Sequence, residues 1–390
     1  MSNFFKNFVV NNQVLNFDVF NLDSSFCNTL RRIMISEIET LGFRTSYSEV
    51  SDIEIELNTS ALHNEFLSHR LSLLPIKYSP KDIQNYVKDK FTFVIDVVNK
   101  GDDTINVTSK DIKIFDNGNQ KYLSDADTKS FFPPNPLNNE YILINKLKAN
   151  KTEGIDGEAM KVKMKADKGI GKEHSRYTPT CVSIFTNKID EAKIDRVFKD
   201  KLAEREDTLT PEEIKDLAKS FRLSEGERHF FVDENGEPNV FEFTVESDGR
   251  IPPYIILNKA LFIMEKKLKK FISNLDNEEV VTFQNSDCIM NSFDVKVQNE
   301  DYTLGTVLQK YIYTLYQMKE PKDVKYVSSN IPHPLENVLL FRIALENSVD
   351  TENSIANIKK ILVGTVDYLL SIIVKLKGEL KNEFKSNLDL

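Results

Sequence analysis

Two stretches at opposite ends of the chain spell the same helical pattern, so the simplest fold is two copies of one module. The first is "FDVFNLDSSFCNTLRRIMISEIETLGF", Phe17 to Phe43, and the second, "FDVKVQNEDYTLGTVLQKYIYTLY", starts at Phe293. In the first, Asp23 or Ser24 is placed to cap a helix. Phe26, Leu30, Ile33, Met34, Ile38 and Leu41 then recur at helical spacing, leaving Arg31 and Arg32 beside the buried face. In the second, Glu300, Asp301 and Thr303 crowd the start, and Leu304, Val307, Leu308, Tyr311, Ile312 and Leu315 form the face. "SFCNTLRR" (Ser25–Arg32) and "TLGTVLQK" (Thr303–Lys310) share the order hydroxyl, apolar, small, two unmatched positions, Leu, polar, basic-or-polar.

Each half also closes on a long amphipathic helix. "IPPYIILNKALFIMEKKLKKFISNL" carries Tyr254, Leu257, Leu261, Met264, Leu268, Phe271 and Leu275 on one seam, with Pro252 and Pro253 near its start, where proline is tolerated. The helix from Thr351 carries Ile355, Ile358, Leu362, Val366, Leu369, Ile373, Leu376 and Leu380. Both seams average close to 3.5 residues, the repeat of helices that pack along a shared axis. Between the parts of the first half lie strand candidates "VSDIEIEL", "FTFVIDVV", "INVTSKDIKIFD" and "EYILINKL", broken by the loop "FFPPNPLNNE". A polar insertion over 187–239 holds a capped helix, "TPEEIKDLAKSF", and a turn, "DENGEPN".

Composition narrows the function. The 390 residues are 40% hydrophobic and 28% charged, which reads as globular. A net charge of −9 argues against a general nucleic-acid coat. Cys27, Cys181 and Cys288 are scattered, giving neither a disulfide framework nor a zinc knuckle. The N-terminal apolar run is interrupted by Lys6 and Asn7, and the most apolar stretch, Ile361–Leu376, is short for a bilayer and holds Asp367. An intracellular, non-membrane protein is expected.

Several motifs then resemble one family. "NTLRRIMISEIET" (Asn28–Thr40), "IELNTSALHNEFLSHRLSLLPI" (Ile55–Ile76), "KGIGKEHSRYTPT" (Lys168–Thr180) and "FEFTVESDGRIPP" (Phe241–Pro253) resemble subunit 3 of eukaryotic RNA polymerase II, its archaeal counterpart, the D-type polypeptide, and the N-terminal domain of the bacterial alpha subunit. "NEDYTLGTVLQKYI" (Asn299–Ile312) and "SSNIPHPLENVLLFRI" (Ser328–Ile343) resemble subunit 11 and its archaeal counterpart, the L-type polypeptide. A fusion of the two looks like the arrangement in some large DNA viruses.

The resemblance implies an α+β fold of two related dimerisation modules paired about a pseudo-twofold axis, with a β-rich domain inserted in the first. Expected bounds are 1–50, 51–167 for the insert, 168–275, a linker at 276–287 reaching roughly 20 Å, and 288–390 for the second module. The seams would pair through Leu257, Leu261, Met264, Leu268, Leu362, Leu369, Ile373 and Leu376. The role implied is non-catalytic: a platform for the largest and second-largest polymerase subunits and a small subunit resembling subunit 10. Asn28, Arg31 and Arg32 would meet a large subunit, since guanidinium forks hold carbonyls and carboxylates bidentately. Gln309 and Lys310 stand at the equivalent place, and Lys172, Glu173 and His174 lie in a loop expected to face the second-largest subunit. If the chain is viral, host cytoplasm and virion follow.

Other chemistry is weaker. "GIGKEH" lacks the further glycine and the Ser/Thr of a Walker loop. The basic run Lys161–Arg176 is read as a solvated face. Asp52, Glu54 and Glu56 alternate as on an exposed sheet, without further metal ligands. His69 and His333 are expected to pack and hydrogen-bond. No carboxylate cluster for nucleotidyl transfer is present, so no catalytic residue, cofactor or metal is assigned, and no sequence-specific DNA contact or membrane is expected. The competing readings are a stand-alone scaffold or nucleic-acid-binding protein of this fold and, behind it, a self-sufficient enzyme.

Overall fold

The computed structural model describes residues 3–45, 51–152, 154–204, 210–286, 291–346 and 351–384; Asp287 at the end of the expected linker and Cys288 lie outside them. In chain order the elements begin with β1 (Phe5–Asn11), β2 (Val14–Phe20), α1 (Ser24–Ser36), β3 (Glu39–Gly42), β4 (Ile53–Asn58) and α2 (Asn64–Ser72). There follow β5 (Phe91–Val98), β6 (Ile105–Thr108), β7 (Ile112–Asp116), β8 (Lys121–Tyr122), α3 (Asp125–Phe131), β9 (Leu143–Leu147), β10 (Ala159–Met164) and β11 (Asp167–Ile170). The chain continues with β12 (Thr180–Asn187), α4 (Glu191–Ala203), α5 (Pro211–Glu225), β13 (Val240–Ser247) and α6 (Pro253–Ser273). Last come β14 (Val281–Asn285), β15 (Ser292–Gln298), α7 (Tyr302–Ile312), β16 (Val324–Asn330), β17 (Val338–Leu345) and α8 (Thr351–Glu383). Two compact units result: residues 1–34, 182–246 and 257–389 form one, and 35–181 with 247–256 the other.

The first unit holds two four-stranded sheets of one design, ordered β1-β2-β13-β12 and β14-β15-β17-β16. Their central pairs share a register: Phe20 faces Val240 and Val14 faces Glu246, while Gln298 faces Val338 and Ser292 faces Ala344. One fixed displacement carries Val14–Phe20 onto Ser292–Gln298, the cap Asp23 onto Asp301, and Ser25–Arg32 onto Thr303–Lys310. The two FDV tripeptides are therefore not counterparts; Phe17 answers to Val295. Alternation explains the cores, because strand side chains point to opposite faces. Leu15, Phe17, Phe241, Phe243 and Val245 are buried in one module, and Val295, Val297, Leu339, Phe341 and Ile343 in the other.

Three local readings differ from the structure. Val281–Asn285, read as linker, is a strand antiparallel to β15 and the counterpart of edge strand β1. Buried Val281 and a full backbone ladder outweigh the polar run before it. The helix of the first phrase stops at Ser36, although Ile38 and Leu41 keep its spacing. Both are buried, but Glu39–Gly42 takes its backbone partners from Asp167–Ile170, so the chain enters a sheet instead of another turn. Leu315 likewise falls past α7, in a π-helical turn over Tyr313–Gln317.

The second unit is built on the sheet β4-β10-β5-β7-β8. Its inner face joins Phe93, Ile95, Ile114, Val162 and Met164 to Leu67 and Leu71 of α2 in one core. The observed unit thus starts before and ends after the 51–167 span expected for the insert. The basic run is partly strand: Lys161 and Lys163 of β10 point outward between buried Met160, Val162 and Met164.

Candidate partner-binding surfaces

Helix α1 is fixed before it presents anything. Of the two cap candidates, Asp23 is the one used: its Oδ1 accepts from the Ser25 N–H (2.8 Å) and the Phe26 N–H (3.2 Å). Burial, then the Asp23 charge, pushes the Cys27 thiol well up, leaving it inert. The buried Thr29 hydroxyl donates to the Thr303 carbonyl at the start of α7, 2.8 Å away. Thr29 and Ile33 of α1, Met264 and Leu268 of α6, and Leu304 and Val307 of α7 close around a void of only about 10 Å³. The modules thereby pair along their repeated helices.

On the same helix Arg31 is half-buried, and its Nε and Nη2 both donate to the Asn28 Oδ1, at 3.1 and 2.8 Å. Asn28 thus holds the guanidinium in one orientation. Arg32, also half-buried, follows it on the helix. The structure therefore joins Asn28 and Arg31 as one polar pair on α1, with Arg32 the next residue along the helix.

Helix α7 repeats the scaffold with different chemistry. Asp301 caps it by accepting from the Thr303 N–H at 2.8 Å. Gln309, at the Arg31 position, accepts from the N–H and hydroxyl of Ser329 in β16, at 2.8 and 2.7 Å. Lys310, at the Arg32 position, is ion-paired with Glu237 and lies 5.5 Å from the Tyr313 ring centroid. Burial, then Asp23, raises the Tyr311 phenol well above its ordinary value. The eight pairing-helix residues Leu257, Leu261, Met264, Leu268, Leu362, Leu369, Ile373 and Leu376 are all buried. Lys377 of α8 links the two helices, pairing with Glu265 and standing 3.7 Å over the Phe262 ring. Hydrogen bonds from Lys269 and Lys377 hold the Glu265 carboxyl below its usual range.

In the second unit the loop Gly171–His174 is bent by backbone contact. A side chain at Gly171 would come within 2.5 Å of the Ile35 carbonyl oxygen and of the Thr178 hydroxyl, and the Lys172 N–H donates to the Ser36 carbonyl at 2.8 Å. Lys172 and Glu173 are exposed, Glu173 pairing with Arg44 at 3.3 Å. The half-buried His174 turns its Nδ1 to the Arg176 N–H (3.1 Å); burial, then Arg176, lowers its pKa and favours neutral imidazole.

Sequence reasoning missed what pins this loop. Arg250, 6% exposed, donates to the carbonyls of Arg176 (3.0 Å) and Thr178 (2.5 Å) and to the Asp248 carboxylate (2.5 Å). It stands inside "SDGR", but nothing in those letters marks a buried arginine. The Tyr177 ring packs on Gly42 and Gly169 of the β3–β11 ladder, where any side chain would collide with it.

The remaining candidates resolve as ordinary pairs. Asp52 is buried, not on an exposed face, because it meets Lys88 and the Arg44 N–H. Glu56 lies between Lys161 and Lys163, whose hydrogen bonds lower its pKa. His69 and His333 are exposed, contrary to the expected packing; the His333 Nδ1 accepts from the Leu335 N–H at 3.2 Å within its own loop. Among the described residues no group of three His, Cys, Asp or Glu could hold a metal ion, and no helix is long and apolar enough to cross a membrane.

Comparison with known proteins gives two family matches, both described as the RNA polymerase Rpb3/Rpb11 dimerisation domain, over residues 16–268 and 292–376. The chain is 26% identical over 284 residues to DNA-directed RNA polymerase II subunit RPB3 of Schizosaccharomyces pombe, covering 68% of this chain and 84% of that one. It is 26% identical over 290 residues to DNA-directed RNA polymerase subunit Rpo3 of Methanosphaera stadtmanae, covering 67% and 95%. A conjugation stage-specific protein of Tetrahymena thermophila is 31% identical over 187 residues, 44% of this chain and about half (54%) of that relative.

Proposed function

The chain belongs to the RNA polymerase Rpb3/Rpb11 dimerisation family, and from that premise we propose that it is the non-catalytic assembly platform of a multisubunit DNA-directed RNA polymerase. Both halves of the usual pair sit on one polypeptide. The supporting observation is the repeat itself: two sheets of one order and register, joined where Thr29 of α1 meets Thr303 of α7. A pair of presenting helices is what a platform for two large subunits needs.

In this reading Asn28, Arg31 and Arg32 capture the second-largest subunit, and α7 takes the largest. The Lys172–His174 loop and the second unit contact the second-largest subunit and a small subunit resembling subunit 10. The fused arrangement fits a large DNA virus, which would put the chain in host cytoplasm and virion. Native mass spectrometry of the complex purified through this chain tests the reading. Co-purification of both large subunits is the expected result. Salt-dependent DNA binding by the lone chain, with no polymerase partner recovered, would overturn it in favour of a stand-alone nucleic-acid-binding protein.

A further inference from the structure

The turn Asp233–Glu237 lies in the polar insertion, outside the family motifs, and the platform reading gives it no task. Its backbone is closed by Asp233. The Asp233 carboxylate accepts from the N–H groups of Asn235 (2.9 Å) and Glu237 (2.8 Å), and the Asp233 N–H donates to the Glu237 carbonyl at 2.8 Å. Gly236 takes the left-handed conformation (φ 81°) the turn requires. None of these bonds uses the Glu237 carboxylate, which reaches out from the first module to Lys310 on α7 of the second.

Lys310 holds the place that Arg32 holds on α1, and Gln309, at the Arg31 place, has its oxygen committed to Ser329. The second helix thus offers one lysine where the first offers two guanidinium groups, and that lysine is already covered by a carboxylate of its own chain. We propose that Glu237 is an internal stand-in for a partner's carboxylate: a large polymerase subunit's acidic segment docks on Lys310 by displacing it. The inference rests on the platform reading and deepens it by naming the chemistry that α7 recognises. The exchange is easy because both groups are partly solvated, with side-chain exposures of 26% for Lys310 and 50% for Glu237. Surface pairs of this kind are weak, and lysine binds as a point charge without fixed geometry.

The test titrates immobilised full-length chain with the purified largest subunit of the same polymerase. Glu237→Gln leaves the turn's own hydrogen bonds intact, and circular dichroism checks the fold. Removing the competitor should tighten binding about two- to fivefold, the range of a surface ion pair. Lys310→Gln should weaken binding, and adding Glu237→Gln to it should restore nothing. Unchanged or weaker binding by Glu237→Gln, or the same gain without Lys310, would overturn the proposal while leaving the platform reading in place. A wild-type chain that captures neither large subunit would bring down both.

Discussion

Arg31 on α1 and the buried Arg250 hold their guanidinium groups in two different ways. Arg31 donates from Nε and Nη2 to Asn28, and in the proposed reading the rest of its fork is offered to an outside partner. Arg31→Ala with Arg32→Ala should leave the far-ultraviolet circular dichroism unchanged. Capture of the second-largest subunit in a pull-down should fall about 10- to 100-fold, and unaltered capture would refute the assignment. Arg250 has turned inward, and its fork spans two carbonyls and a carboxylate that lysine cannot reach together. Arg250→Lys should cost on the order of 2–4 kcal/mol in chemical denaturation. Hydrogen exchange should locate the loss in residues 168–180; protection kept there would contradict the role. Arg31 and Arg32 were conspicuous in sequence because cations beside an apolar helical stripe stand out. Arg250 was not, since a buried charge shows itself only through partners brought from distant segments.

At the scale of elements, the sheets show how one backbone plan carries different chemistry. The same cross-strand site holds Asn16 with Thr244 (2.8 Å) in the first module and Asp294 with Arg342 (2.7 and 2.8 Å) in the second. Hydrogen bonding by Arg342 lowers the Asp294 pKa below its ordinary 3.8. A depressed folded-state pKa stabilises the native state above the unfolded value, and that stability is lost as pH falls through the folded value. Urea midpoints of wild type and Asp294→Asn should therefore differ most at neutral pH, the gap closing as pH falls below the ordinary 3.8 and through the lowered folded-state value. A constant gap across that range would show that the pair acts by shape alone. Apolar alternation made β5 and β9 readable, whereas β10 was hidden because its outward residues are lysines and the run looked like a charged surface. The end of α1 was hidden too: Ile38 and Leu41 satisfy helical spacing and sheet burial alike, and only pairing with β11 decides between them.

For the whole molecule, the fusion changes the thermodynamics of pairing. The bonds that join the modules, Thr29 to Thr303 (274 positions apart) and the N–H groups of Phe4 and Phe5 to the Glu379 carboxylate (2.8–3.0 Å, 375 and 374 apart), link distant parts of the sequence yet lie in one unit. Such ends would be separate chains in a two-subunit pair, where stability depends on concentration by mass action. On one chain the partner is present at an effective concentration of order millimolar, whatever the dilution. The duplicated plan was visible in the repeated phrase, but its extent was not, because strand β14 reads as linker until β15 lies beside it. The consequence is measurable. Melting followed by circular dichroism over a roughly hundredfold range of protein concentration should give one midpoint. A pair that dissociates on unfolding would instead gain about 2.7 kcal/mol, or roughly 3 °C, between the two extremes. A midpoint that climbs with concentration would mean that the modules pair between chains, with α1 of one copy on α7 of another, and the platform would then be a dimer.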